Sequence, residues 1–377
     1  MNETYDVIVV GLGAAGSPTA YRLAKRRQKV LGLEMFEPGH PWGSSHGQHR
    51  MIRKSSIQGG DYEPLADWAF ELWDELEHET GQEFLTIVGE VRLIAQGKDP
   101  RYKSDASEMQ RRGFWEILDE TELAKRFPGF RLHEGMIATY EADAGFLWSE
   151  RGIIAHVELA RQHGATIRTS EEVTGWEADG EGVKVTTDKG EHRAGKLVIT
   201  TGAYAGELLE DLDLPFQVNR SINGYFEPSK PDWWRAENGA PDFILDVPED
   251  GFYGMPAIDD IGLKIGLSTR DKTGPRTIRR TIEPEEVQYL RDTLDKYMPG
   301  ATGKDLKAIT CMDAYTVDDD FIIDRHPEHE QVIIGCGFSG RGYKFSPVLG
   351  EILADLATDA RTRHDIEFLS IARFNQR

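Results

Sequence analysis

Residues 5–16 read Tyr-Asp-Val-Ile-Val-Val-Gly-Leu-Gly-Ala-Ala-Gly, and this stretch decides the fold of the N-terminal part of the chain. The apolar, β-branched run at 5–10 predicts a buried parallel strand. The glycines that follow predict a tight turn into a helix over 14–27, and residues 29–34 predict a second strand. The stretch is therefore the start of a βαβ unit.

The same turn indicates a bound dinucleotide. Its spacing suits a pyrophosphate held against the N-terminus of the helix. The predicted phosphate-binding residues are Gly11, Gly13, Ala14, Ala15 and Gly16. Glu34 ends the second strand, where a carboxylate can accept hydrogen bonds from ribose hydroxyls. A glycine-rich turn without a ligand is the alternative, and the combination of strand, turn, helix and acid disfavours it.

Two further segments favour FAD over NAD. Residues 196–203 form an apolar run that ends in Thr-Thr-Gly-Ala, which is typical of flavoproteins that surround FAD with several segments. Thr201 and Gly202 are therefore candidate cofactor contacts. Val173, ahead of a predicted strand at 183–188, is a candidate backbone clamp on adenine.

Composition restricts the class of protein. A length of 377 residues predicts about two domains, and a formal net charge of −21 argues against nucleic acid or an anionic membrane as a partner. No apolar run approaches the length of a membrane span, and the N-terminus shows no signal-peptide pattern. Two cysteines make no disulfide framework. We expect a cytoplasmic monomer without a metal site.

The periodicity predicts an α/β protein with two interleaved domains. Helices are predicted at 62–79, 149–163, 284–297 and 347–358, with strands at 166–170 and 196–200 and a half-buried strand at 89–94. A Rossmann-like FAD-binding domain would comprise residues 1–85, 146–215 and 315–377. A substrate domain built on a mixed or antiparallel sheet would comprise residues 86–145 and 216–314.

Several longer motifs resemble the monomeric sarcosine oxidase family, which includes N-methyltryptophan oxidase, pipecolate oxidase and the fructosyl amino acid oxidases. The resemblance covers nearly the whole chain. It is carried by Gly-Ser-Ser-His-Gly-Gln-His-Arg-Met-Ile-Arg at 43–53, Tyr-Gly-Met-Pro at 253–256, Gly-Leu-Lys-Ile-Gly at 262–266, the segment at 311–324 that opens with Cys-Met-Asp-Ala-Tyr and closes with Phe-Ile-Ile-Asp, and Gly-Phe-Ser-Gly-Arg-Gly-Tyr-Lys at 337–344. It implies an FAD-dependent oxidase of secondary amino acids that uses O2 and water and releases hydrogen peroxide.

The resemblance also implies how the flavin is held. Cys311 matches the cysteine that carries FAD through a thioether at the flavin 8α position; the alternative from the residue alone is a buried, inert cysteine. Further contacts with the cofactor are implied for Ser44, Ser45, His46, Arg50, Gly337, Phe338, Gly340, Gly342 and Lys344.

Catalytic roles follow from the same motifs. Lys264 matches a lysine that stabilises negative charge as oxygen is reduced. Arg50 matches a basic residue beside the flavin, and Tyr253 matches an aromatic residue of the pocket. Arg53 and Lys344 match the pair that binds the substrate carboxylate.

Three positions depart from the sarcosine oxidases of the family. Ser268 and Arg341 stand where those enzymes have histidines, and Asp313 stands where they have a tyrosine. The changes affect the part of the pocket that meets the substrate, so we expect a substrate larger or more polar than sarcosine. Three alternatives stay open: a fructosyl amino acid oxidase, a dehydrogenase with an acceptor other than oxygen, and a non-catalytic flavoprotein.

Overall fold

The computed structural model describes residues 4–56, 60–95 and 106–376, and for residues 268–270 and 375–376 it describes the backbone only. The helices in these ranges are α1 (Gly16–Lys25), α2 (Glu63–Thr80), α3 (Ala106–Arg111), α4 (Glu120–Arg126), α5 (Ser149–Gln162), α6 (Ala205–Leu208), α7 (Pro231–Trp234), α8 (Pro284–Tyr297) and α9 (Ser346–Thr358). None of the helices in the described ranges combines the length and the apolar character that crossing a membrane requires.

The strands form three sheets. They are β1 (Thr4–Val10), β2 (Val30–Leu33), β3 (His49–Ile52), β4 (Leu85–Ile87), β5 (Glu90–Ala95), β6 (Glu116–Leu118), β7 (Met136–Glu141), β8 (Gly145–Trp148), β9 (Thr166–Arg168), β10 (Val173–Asp179), β11 (Gly182–Thr187), β12 (Gly190–Ile199), β13 (Phe216–Phe226), β14 (Asp242–Asp246), β15 (Gly251–Ile258), β16 (Gly262–Lys272), β17 (Asp305–Thr316), β18 (Ile322–Arg325) and β19 (Val332–Cys336).

The first sheet is the predicted dinucleotide-binding sheet. Its order is β10-β11-β12-β1-β2-β9, with β19 beside β12 and β18 beside β19. Strand β1 runs parallel to both β2 and β12. Helices α1, α2, α5 and α9 contribute to one core with it, because their apolar stripes pack against its buried strands. The predicted stripe of α2 is part of this core, where Trp73 is fully buried.

The second sheet has the order β17-β13-β16-β15-β14-β5-β7-β6. It is mixed, since β14 and β5 are parallel while the other neighbours are antiparallel. One face is apolar and packs with α8 around Ile222, Phe243 and Ile265. Alternate residues point to the opposite face, which is polar. That polar face carries the candidate site.

The chain alternates between the two sheets, so the two domains are interleaved as predicted. The first sheet takes strands from residues 4–33, 166–199 and 322–336, and the second takes strands from residues 90–141 and 216–316. Strands β3, β8 and β4 form a small third sheet.

One prediction about burial is wrong. Residues 89–94 were predicted as a half-buried strand, yet β5 is buried along almost its whole length. Glu90 and Arg92 on its polar face are 2% and 1% exposed. Both side chains are enclosed because they belong to a buried charge network, described below.

Candidate active site

The glycine turn between β1 and α1 has the geometry of a phosphate-binding turn. Gly11 has φ +82, and a Cβ there would lie 2.8 Å from the carbonyl oxygen of Thr200. A Cβ at Gly16 would lie 1.8 Å from the carbonyl oxygen of Gly11. A Cβ at Gly13, in contrast, would meet no atom within 4 Å. The backbone is therefore tightly packed at Gly11 and Gly16, whereas there is free space at Gly13, where a pyrophosphate would approach the turn.

Glu34 stands at the end of β2 and lines the same cavity. Its Oε2 accepts a hydrogen bond from the Leu12 N–H at 2.7 Å, and its Oε1 accepts one from the Phe36 N–H at 3.0 Å. The two backbone donors hold the carboxylate in place. Each oxygen keeps a further lone pair, which ribose hydroxyls can use.

A long cavity, open to solvent at its mouth, runs from this turn towards the polar face of the second sheet. Most of the predicted cofactor contacts line it: Gly11, Gly13, Ala14, Ala15, Glu34, Ser44, Ser45, Arg50, Val173, Thr201, Gly202, Gly337, Phe338, Gly340 and Gly342. The Thr201 hydroxyl is buried there, and none of the residues that the structure describes forms a hydrogen bond with it. Widely separated segments, an open glycine and an orphaned hydroxyl fit an extended dinucleotide such as FAD.

Cys311 lies beside this cavity in a polar cluster. Its Sγ is 3.2 Å from His46 Nε2, 3.6 Å from Asn223 Nδ2 and 4.0 Å from an Arg50 guanidinium nitrogen. Burial raises the pKa of the Cys311 thiol, while the positive charges of Arg50 and Lys264 oppose that rise. Burial and Arg50 lower the pKa of His46 to about 4, so its imidazole is neutral at pH 7.

Lys264 is fully buried, and no carboxylate of the described residues is hydrogen-bonded to it. Its Nζ donates hydrogen bonds to the carbonyl oxygens of Gly47 and His49 at 3.1 and 3.0 Å. Tyr225 also donates to the Gly47 carbonyl, at 2.8 Å. Burial, and to a lesser extent repulsion from Arg50, lower the pKa of Lys264 to about 7. The structure thus holds a preorganised cation beside the Arg50 and Cys311 cluster.

Arg53 and Lys344 lie close enough to repel each other. Burial, with repulsion from Arg53 and Arg341, holds the pKa of Lys344 well below its usual range. The Nη1 of Arg53 donates to Glu90 Oε2 at 2.9 Å, whereas its Nε is buried and no described residue accepts a hydrogen bond from it. An anion between the two cations would satisfy Nε and relieve the repulsion.

The three departures from the sarcosine oxidases fall in different places. Asp313 lines the cavity, and burial raises its pKa while Arg50 opposes that rise. The Arg341 guanidinium lies over the rings of Tyr62 and Phe321, at 5.1 and 5.5 Å from their centroids. The backbone of Ser268 belongs to β16, and its side chain lies outside the described residues.

Tyr253 lies on the same polar face. Its hydroxyl donates to Asn223 Oδ1 at 3.2 Å, and burial raises its pKa well above the ordinary value.

Sequence reasoning missed several neighbours of these residues. Asn223 links Cys311 to Tyr253, and Glu90 joins Arg53 to Arg92. No short motif marks either of them. Their positions follow from strand pairing between segments that lie far apart in the chain.

The fold and the cavity define a flavoprotein oxidoreductase, and comparisons with known proteins agree. The family model described as FAD dependent oxidoreductase matches residues 6–356. Monomeric sarcosine oxidase of Streptomyces avermitilis is 40% identical over 97% of this chain and 97% of its own length. N-methyl-L-tryptophan oxidase of Salmonella arizonae is 32% identical over 99% of this chain and all of its own.

A solved structure shares the architecture. That of NikD, described as an unusual amino acid oxidase essential for nikkomycin biosynthesis, has a TM-score of 0.85 at 26% identity, covering 98% of this chain and 97% of that one. This chain belongs to the FAD-dependent oxidoreductase family that contains the monomeric sarcosine oxidases and N-methyl-L-tryptophan oxidases. The predicted fold class and the predicted family are confirmed, and FAD is the cofactor.

Proposed function

We propose that this enzyme oxidises an N-substituted amino acid at the C–H bond beside the amine nitrogen, using O2 and water and releasing hydrogen peroxide. The observation that carries the proposal is a cavity lined by the glycine turn, Glu34 and Arg50, with the buried Lys264 ammonium close to Arg50 in the fold and Arg53 of the Arg53 and Lys344 pair close to it in the chain. Bound FAD would accept a hydride from that C–H bond and pass the electrons to oxygen.

The protein side chains have separate tasks in this reaction. Arg53 and Lys344 would orient the substrate through its carboxylate, since a planar fork and a point charge suit two carboxylate oxygens. Tyr253 would line the amine side of the pocket. Lys264 would stabilise the negative charge that develops on oxygen, as a fixed cation in a water-poor site does well.

We also propose that Cys311 carries the flavin covalently, as the resemblance implies. Its support is the position of the thiol at the edge of the cavity, beside His46 and Arg50. The remaining cofactor contacts would come from the residues that line the cavity.

The experiment that tests the function is a peroxide-release screen of the purified yellow protein. Its substrates are N-methyl, cyclic and glycated amino acids, so the same screen separates a sarcosine-like oxidase from a fructosyl amino acid oxidase. If a substrate reduces the flavin but air reoxidises it only slowly, the protein would be a dehydrogenase instead. Absence of both reactions with all amines would refute the proposal.

We place the enzyme in the cytoplasm as a monomer. Both cysteines are free and buried, which suits a reducing compartment. Light scattering of the purified protein tests the monomer, and fractionation of the source cells tests the compartment.

Replacing Arg53 by alanine is expected to weaken binding of carboxylate-bearing amines by about 1.5–3 kcal/mol, the range for a hydrogen bond to a charged group. Amide analogues of the same amines, which are poor substrates already, are expected to change little. Steady-state kinetics on matched acid and amide substrates measures the difference. Equal losses for both would assign Arg53 a structural role through Glu90.

A further inference from the structure

A row of paired side chains crosses the polar face of the second sheet. Glu90 of β5 pairs with Asp242 of β14, and Met255 of β15 pairs with Lys264 of β16. Because Phe243 pairs with Gly254, the antiparallel register of β14 and β15 places Asp242 beside Met255. Directly paired residues point to the same face. Asp242 therefore lies between the acid that contacts Arg53 and the Lys264 ammonium.

Asp242 differs from the other buried acids of this row. Glu90 accepts hydrogen bonds from Arg53 and Arg92, at 2.9 and 3.1 Å. Glu141, paired with Glu90 on the next strand, accepts them from two backbone N–H groups and an indole N–H. Both carboxyl oxygens of Asp242 are buried, and neither has a donor among the described residues.

None of the described residues in the row donates a hydrogen bond to this carboxyl. Met255 has no donor, and Glu90 is itself an acid. Lys264 directs two of its hydrogens to backbone carbonyls. Burial and the nearby Glu90 accordingly raise the pKa of Asp242 well above its ordinary value. A buried acid without a partner costs stability, and such groups concentrate at functional sites.

A second orphaned atom lies on the same side of the sheet, since Arg53 Nε is also buried and has no partner among the described residues. Arg53 is close enough for its charge to act on Asp242. One orphan requires an acceptor and the other requires a donor. An amino acid that carries a donor on its side chain would satisfy both, with its carboxylate on Arg53 and its side chain on Asp242.

We infer that Asp242 determines substrate specificity by accepting a hydrogen bond from an ammonium or hydroxyl group on the side chain of the bound amino acid. This inference rests on the proposed function and names the substrate class for it. Neighbouring strands lie about 4.8 Å apart, so the row from Glu90 to Lys264 spans about 14 Å.

The test compares three Nα-methyl amino acids of equal chain length, derived from ornithine, 5-hydroxynorvaline and norleucine. Wild-type holoenzyme is expected to prefer the first two. Asp242→Leu is expected to lower kcat/KM for the ornithine derivative by about 10- to 150-fold, the loss of one hydrogen bond to a charged group. The norleucine derivative should change little. Asp242→Asn keeps an acceptor, so it should retain more activity on the hydroxyl substrate than on the cation.

Asp246→Asn is the matched control, because Asp246 ends the same strand on the same face and contacts Arg92. It should leave the ratio between the three substrates unchanged. Equal losses on all three substrates in Asp242→Leu, or no loss at all, would overturn the inference. If the wild type oxidises other N-substituted amino acids but none of these three, the inference is also overturned; if it oxidises no amine at all, the proposed function fails instead. In that case, substrate binding can still be measured under argon from the change in flavin absorbance. The inference then requires Asp242→Leu to weaken binding of the ornithine derivative more than binding of the norleucine derivative.

Thermal stability provides an independent readout of Asp242. The raised pKa means that the native state keeps a proton which the unfolded chain releases above about pH 3.9, so this residue lowers stability as pH rises from there towards the folded pKa. Asp242→Asn cannot ionise. Its Tm should therefore exceed that of the wild type at pH 8, with the difference shrinking towards pH 4. A lower Tm at pH 8 would mean that Asp242 is paired in the native state, which removes the premise.

Discussion

Replacing Lys264 by methionine is expected to slow reoxidation of the reduced enzyme by oxygen about a hundredfold or more, the scale of losing one preorganised electrostatic group. The ammonium is buried and, in the part of the chain that the structure describes, donates to the backbone carbonyls of Gly47 and His49 and to no carboxylate, so its charge remains available to an anion. Methionine keeps the length of the side chain and removes the charge. Stopped-flow mixing of substrate-reduced enzyme with oxygen measures the rate.

Anaerobic reduction by substrate should suffer much less in this variant, because the cation acts after hydride transfer. Lys307→Met is the matched control: Lys307 lies over the ring of Tyr225, and its ammonium binds Gln48. It should keep most of its oxygen reactivity. An unchanged reoxidation rate in Lys264→Met would remove Lys264 from this role.

The oxygen reaction should also depend on pH through Lys264. Burial lowers the pKa of this lysine to about 7, so its ammonium is present below that pH and is lost as pH rises through it. The wild-type reoxidation rate should accordingly fall above about pH 7. The same dependence should be absent from Lys264→Met.

Replacing Cys311 by alanine is expected to let the flavin leave the protein when the protein is denatured. If the flavin is attached through Cys311, acid-precipitated wild type keeps its yellow colour, and its mass exceeds that of the polypeptide by one FAD. Cys311→Ala should give a colourless pellet and a yellow supernatant. The effect is all or none, because a covalent bond survives unfolding while the noncovalent contacts of the cavity do not.

Cys336 offers a matched control, since it is equally buried but lies on β19 and packs among apolar residues. Burial raises the pKa of its thiol to about 12, which makes it unreactive. Cys336→Ala should keep the colour in the pellet. A colourless pellet from fully loaded wild type would refute the covalent link.

Local sequence was sufficient for the dinucleotide half of the molecule. The run at 5–10, the glycine turn and Glu34 act within one βαβ unit, so their roles depend on neighbours close in the chain. The helix predicted at 284–297 has the same bounds as α8, because its proline and acidic residues define a helix N-terminus locally. Longer motifs identified the family, and the comparisons confirm it.

The polar face of the second sheet was decided by tertiary structure. Alternation in β5 predicted exposed polar residues, but Glu90 and Arg92 are buried because Arg53 and Glu90 form a charge network with Arg92. No sequence pattern marked Asp242, which is the first residue of β14 and belongs to none of the motifs.

Strand register explains both cases. A pairing between strands far apart in the chain determines which residues share a face and which charges meet, and a one-residue slip would turn every side chain to the other face. The sequence by itself therefore determined the cofactor, the family and the cationic residues of the motifs. Only the folded sheet places Asn223 beside Cys311 and leaves Asp242 without a donor in the described part of the chain, since those facts depend on which strands pair and in which register.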